Sequence, residues 1–122
     1  MKPGNPEPPL SAQTIQRINN RLEVPDHPVI PFIAGDGCGV DVWPAARKTL
    51  DAAVQSAYRG SRRIAWLEVF AGEKSQQLYG APLPDETLQA FSRYLVGIKG
   101  PLATPVGGGM RSLNVTLRKT LD

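Results

Sequence analysis

Lys99–Arg118 reads KGPLATPVGGGMRSLNVTLR, and its centre is Gly107-Gly108-Gly109-Met110-Arg111-Ser112. Just upstream, Leu95-Val96-Gly97-Ile98 has the composition of a short buried strand. Downstream, Ser112 is placed to cap a helix in which Leu113, Leu117 and Leu121 recur at i, i+4 and i+8. The order is strand, Gly/Pro-rich loop, helix. Three successive glycines allow close backbone approach and φ angles closed to other residues. The helix start offers unpaired N–H groups and the positive end of the macrodipole, which together suit an anion. Arg111, Asn114 and Arg118 fall at i, i+3 and i+7 on one helix face, with the Ser112 hydroxyl at its mouth. Two guanidinium groups, an amide and a hydroxyl match a small polycarboxylate or a phosphate. Spacing alone leaves an anion site and a plain connector both open.

The rest of the chain repeats the alternation. Val29–Ile33 is apolar and β-branched, hence a strand, with Pro31 marking a position that donates no ladder N–H. Gly35-Asp36-Gly37-Cys38-Gly39 follows, but its glycine spacing does not fit G-x-G-x-x-G, which favours a structural turn over a phosphate cradle. Cys38 reads as a small packing residue, although a thiol at a helix start can also be activated. Trp43, Ala46, Leu50, Ala53, Val54 and Ala57 keep a helical period that Gly60 closes, and Pro44 fits the first turn. Ile64–Phe70 is a near-continuous apolar run, as in a buried parallel strand. Gly72–Ser75 reads as a turn. Leu83-Pro84-Asp85 starts another helix, with Leu88, Phe91 and Leu95 on one face. Strand alternating with helix predicts an α/β layer with a mostly parallel sheet and ligands beyond the carboxyl ends of its strands. Lys99–Arg118 lies at such an end.

Residues 1–25 begin as an arm in which Pro3, Pro6, Pro8 and Pro9 oppose regular structure, with a short helix over Thr14–Leu22 that Asn19-Asn20 weakens. The chain has 122 residues, 41% hydrophobic and 20% charged, with a net charge of +3, which fits one small globular domain or part of one. Its basic residues are dispersed rather than interleaved with aromatics, so a nucleic-acid partner is not expected. No apolar run approaches the ~20 residues of a membrane span, and the first residues lack the apolar core of a signal peptide. The expected location is the cytoplasm. One cysteine excludes an internal disulfide. His27, Asp36 and Asp41 have no partners at metal-ligand spacing.

Three blocks, VIPFIAGDGCGVDVWPA, LEVFAGEKS and YLVGIKGPLATPVGGGMRSLNVTLRKTLD, resemble the NADP-dependent isocitrate dehydrogenases of bacterial type. The resemblance implies an α/β fold of the isopropylmalate dehydrogenase kind, a mostly parallel sheet with helices on both faces. Residues 26–122 would then form the N-terminal half of the large domain, following a flexible arm over 1–25. It implies that Ser112 and Asn114 contact a distal carboxylate of isocitrate and that Arg118 grips a second. Lys99 and Thr104 match positions near the nicotinamide and substrate, and Ala103 replaces a threonine, leaving only a backbone contact to NADP. Ser112 also matches a serine that some relatives phosphorylate, where an added charge of about −1.5 to −2 would repel the substrate. A serine and an amide favour isocitrate over an alkyl-bearing substrate, because unpaired buried polar groups are costly.

The same resemblance places the catalytic tyrosine and lysine, the aspartates for Mg²⁺ or Mn²⁺ and the adenosine-phosphate site later than Asp122. It implies a homodimer, an unpaired sheet edge and uncovered apolar helix faces. Residues 1–122 alone are therefore not expected to turn over. The alternative is a non-catalytic truncated remnant with at most weak anion binding.

Overall fold

The structure is a computed structural model describing residues 7–103 and 112–122. In chain order it contains β1 (Gln16–Ile18), β2 (Arg21–Glu23), β3 (Val29–Ile33), α1 (Gly39–Tyr58), β4 (Ala65–Glu68), α2 (Glu73–Tyr79), α3 (Asp85–Tyr94), β5 (Ile98–Lys99) and α4 (Leu113–Leu121). Strands β4, β3 and β5 form a parallel sheet in that order, so β3 is central.

The period of two along each strand sorts side chains between the two faces. Val29 and Ile33 join Leu67 and Val69 in one core with Ala90 and Tyr94 of α3, Leu117 of α4 and Leu102. On the opposite face Phe32 stacks on Trp43 of α1 at 4.4 Å between ring centroids, and Trp66 meets Trp43 edge-on at 5.1 Å. Trp66 donates its indole N–H to Asp51 of α1 at 2.8 Å, which satisfies that polar group of the cluster. Helices therefore cover both faces, α1 on one and α3 and α4 on the other. Val40, Leu50 and Tyr58 of α1 are exposed, as are Val115 and Leu121 of α4.

Pro31 sits in the central strand without breaking it. Pro28 and Phe32 accept from Ala65 and Val69 of the β4 side, whereas Val29 donates to Gln13 and Ile33 accepts from Gly100 on the other. Pro31 shares the parity of Val29 and Ile33, so its missing N–H falls between the Gln13 bridge and the start of β5.

Four expectations change. Thr14–Leu22 is not helical: β1 and β2 pair as an antiparallel hairpin, and Asn19 and Asn20 at its tip have φ of 51° and 61°. Two consecutive left-handed residues close a two-residue hairpin loop, and asparagine tolerates that conformation. The segment is also tied to the sheet, since Gln13 donates to His27 O at 2.9 Å and Ile15 is buried. Leu95–Ile98 is not a strand, because Leu95 caps α3 with φ of 66° and the pairing begins only at Ile98. Gly97 between them passes flat against the Phe91 ring, where a Cβ would overlap it. Gly72–Ser75 opens α2 rather than only turning the chain, anchored by the buried Ser75 hydroxyl donating to Ala81 O at 2.7 Å. Cys38 is exposed rather than packed. At the end of α1, Arg59 adopts the left-handed cap just before Gly60.

Candidate functional site

The helix after β3 lies on one face of the sheet and the helices after β4 and β5 on the other. Such a reversal beside the central strand opens a crevice at the carboxyl ends, where ligands of this architecture bind. The exits of β3 and β5 are pressed together there: Gly100 donates to Ile33 O and Asp36 donates to Pro101 O, both at 2.7 Å. Gly35 makes the approach possible, with φ of 95° and no room for a Cβ against the Pro101 carbonyl.

Asp36 is the polar hub of this crevice, with 9% of its surface exposed. Its Oδ1 accepts the Glu73 N–H at the start of α2, and its Oδ2 accepts the Ala103 N–H beyond β5, each at 3.0 Å. One carboxylate thus joins the exits of all three strands. Gly72 sits against that carboxylate with φ of 81°, a space any side chain would fill. Metal-ligand spacing does not single out Asp36; the sequence signal for it is its place between Gly35 and Gly37 in a strand-exit loop, where backbone N–H groups lack ladder partners.

Asn114, in the first turn of α4, donates Nδ2–H to Leu102 O at 3.2 Å. Leu102 O can only accept, which fixes the nitrogen toward it and leaves Oδ1 as the other face. That oxygen is buried and has no hydrogen-bond partner among the described residues. Arg118 lies one turn further along the same face and is exposed. Lys99, at the end of β5, donates to Gly100 O at 2.8 Å. Partial burial, and then the nearby Arg118 guanidinium, push the Lys99 ammonium below lysine's ordinary pKa. Among the described residues neither Lys99 nor Arg118 is in an ion pair. Two like charges held near each other make this rim attractive to an anion.

Ser112 occupies the cap position of α4, and its carbonyl receives the Thr116 N–H at 3.0 Å, but its hydroxyl makes no capping bond. The expected cap is therefore positional only. Asn114, Arg118, Lys99 and the Ala103 backbone converge at the end of β5, with Ser112 at the start of α4. Thr104, Arg111 and the three glycines 107–109 lie outside the described residues.

A cleft of about 190 Å³ opens beside Asp36, at the ends of β3 and β4, among Gly35, Glu68, Val69, Glu73 and Lys74. Its lining includes none of Ser112, Asn114 and Arg118. Lys74 there is paired with Glu68 at 2.9 Å, so that cleft offers no unpaired cation from this lysine. Among the described residues no group of three His, Cys, Asp or Glu side chains is placed to hold a metal, and no helix is long and apolar enough to cross a membrane.

A parallel sheet with helices on both faces and a topological reversal beside β3 defines the class: an α/β protein of the layered, mostly parallel kind. The family profile described as isocitrate/isopropylmalate dehydrogenase matches residues 29–122, and the chain belongs to that family. The "Isocitrate dehydrogenase [NADP]" of Nostoc sp. is 55% identical over 117 residues, covering 94% of this chain and 25% of that protein. Its counterpart from Pseudomonas aeruginosa is 61% identical over 103 residues, covering 83% and 25%. A crystal structure of isocitrate dehydrogenase from Methylococcus capsulatus superposes with a TM-score of 0.67 at 41% identity, over 78% of this chain and 26% of that one. The chain spans about a quarter of the length of these relatives.

Proposed function

We propose that this chain is part of an NADP-dependent isocitrate dehydrogenase and forms one wall of its isocitrate pocket. The observation that carries the reading is the meeting of Lys99, Asn114 and Arg118 at the end of β5 in a chain 52–61% identical to several enzymes of that name. Arg118 supplies a planar fork for a carboxylate, and the Ser112 hydroxyl and the N–H groups at the start of α4 supply neutral donors.

One N–H of the Asn114 amide is engaged by Leu102 O, and Nδ2 keeps a second N–H that can donate to a carboxylate of isocitrate. An alkyl-bearing 2-hydroxy acid keeps a carboxylate for Arg118 but would leave Ser112 and Asn114 without a partner, at about 1–3 kcal/mol per buried polar group.

For the cofactor, Lys99 and Ala103 lie on the same rim. The Ala103 N–H is already held by Asp36, so its carbonyl is the backbone atom it has to offer. NADP supplies hydride acceptance and Mg²⁺ or Mn²⁺ supplies charge stabilisation during decarboxylation when they are bound. In this reading the ion's ligands come from elsewhere in the enzyme. A homodimer in the cytoplasm, acting without nucleic acid or membrane, completes the reading.

The test is a chimera in which residues 29–122 replace the corresponding segment of the Pseudomonas aeruginosa enzyme. It should oxidise isocitrate with NADP and leave 3-isopropylmalate untouched. A well-folded chimera with no isocitrate activity would overturn the assignment.

A further inference from the structure

Leu102 and Ala103 share one peptide unit, and both of its polar groups are held by side chains. The N–H is bonded to Asp36 Oδ2 at 3.0 Å, and the C=O is bonded to Asn114 Nδ2 at 3.2 Å. We propose that Asp36 is a positioning residue of the isocitrate site, setting the orientation of the Asn114 amide through the Leu102–Ala103 peptide. This role rests on the substrate-site reading above and deepens it.

The geometry makes Asp36 suited to that task. Its own backbone is fixed, because Asp36 N–H donates to Pro101 O at 2.7 Å, one residue before the peptide it grips. Its second oxygen is occupied by Glu73 N–H, and Gly72 closes the space behind the carboxylate. A buried carboxylate with both oxygens engaged cannot rotate without breaking a bond. The Ala103 N–H direction is set by it, and the Leu102 C=O points the opposite way across the same plane. Asn114 is then held with its amide nitrogen toward Leu102 O.

The sign of the effect separates positioning from simple electrostatics. Asp36→Asn keeps the shape and removes a negative charge near an anionic substrate. Electrostatics alone would therefore lower the KM for isocitrate. Positioning requires the reverse, because the new amide can accept only one of the two N–H groups and turns its own NH₂ toward the other.

In the chimera, Asp36→Asn should raise the KM for isocitrate tenfold or more. In the Asn114→Ala background the same change should add less than threefold, since the residue acted upon is gone. Gly72→Ala keeps the charge but pushes on the carboxylate, and should raise the same KM. It decides the matter alone if Asp36→Asn does not fold. Thr87→Val is the stability control: it removes a buried hydroxyl bond to Phe70 O at 2.6 Å without touching Asp36, and should lower Tm with KM unchanged. An unchanged or lowered KM in Asp36→Asn, or effects of Asp36 and Asn114 that simply multiply, would overturn the positioning role. If instead Asn114→Ala and Arg118→Ala leave the isocitrate KM unchanged, the substrate-site reading itself fails.

Discussion

Asp36 and Asn114, 78 positions apart in the chain, hold the two ends of one peptide unit, Ala103 N–H at 3.0 Å and Leu102 C=O at 3.2 Å. The loop after β3 and the first turn of α4 are thereby locked to the same plane. A loop that carries ligand contacts normally depends on a rigid scaffold for its aim. Here the scaffold reaches the rim of the site through two side chains.

Asn114→Asp tests the inner half of that lock. It replaces the donor facing Leu102 O with an oxygen, and a carboxylate against a carbonyl should cost about 1–3 kcal/mol of stability at pH 7. The new carboxyl is pushed above the ordinary carboxylate range, because its protonated form alone can donate to Leu102 O. The deficit should therefore be full at neutral pH and shrink as pH falls through that raised value. Urea denaturation of the chimera at pH 7 and pH 5 measures it.

Gly35 and Gly37 both have positive φ, 95° and 53°, but only Gly35 is pressed against another backbone. Gly37→Ala should cost about 1–2 kcal/mol, the left-handed penalty of an ordinary residue. Gly35→Ala should cost more, about 3 kcal/mol or above, since the Pro101 carbonyl it meets cannot swing aside. Equal Tm losses for the two variants would mean that the β3 and β5 exits are not in contact as described.

The depressed pKa of Lys99 has a consequence for ligand binding. Burial and then Arg118 hold it down, and an anion placed between the two cations would raise it again. Isocitrate binding should therefore take up protons between the lowered value and lysine's ordinary one. Calorimetry across the alkaline range, in pairs of buffers of different ionisation enthalpy, reads that uptake, and Lys99→Met should abolish it.

Ser112→Asp places a negative charge at the start of α4. The helix dipole favours that charge by about 0.3–1 kcal/mol, so Tm should hold or rise. Isocitrate affinity should fall at least tenfold through repulsion of the incoming carboxylate. A variant that lost both stability and affinity would point to a packing role for Ser112 instead.

Elements governed by period were legible in the sequence. β3, β4, α1, α3 and α4 all stand where apolar spacing puts them, although α1 buries only Gly39 and Trp43 and leaves Leu50, Ala53 and Ala57 of its apolar stripe exposed. What escaped was set by single residues in special conformations. Asn19-Asn20 reads as a weak spot in a helix until two adjacent left-handed asparagines are seen to make a hairpin. Leu95 carries the right side chain for a strand, yet the close pass of Gly97 over Phe91 makes it a helix cap. At the site, the helical spacing of Asn114 and Arg118 was visible in advance. Which way the Asn114 amide turns was not, since that depends on a bond to Leu102 twelve residues earlier. Asp36 was hidden for the same reason: its partners, Glu73 and Ala103, are remote in sequence and contribute only backbone N–H groups.

The most direct measurement is Arg118→Ala in the chimera, with steady-state kinetics for both ligands. The KM for isocitrate should rise at least a hundredfold, as for loss of a charge-assisted carboxylate contact of about 3 kcal/mol, while the KM for NADP changes less than threefold. Equal losses for the two ligands, or no loss for isocitrate, would contradict an isocitrate pocket built on this helix.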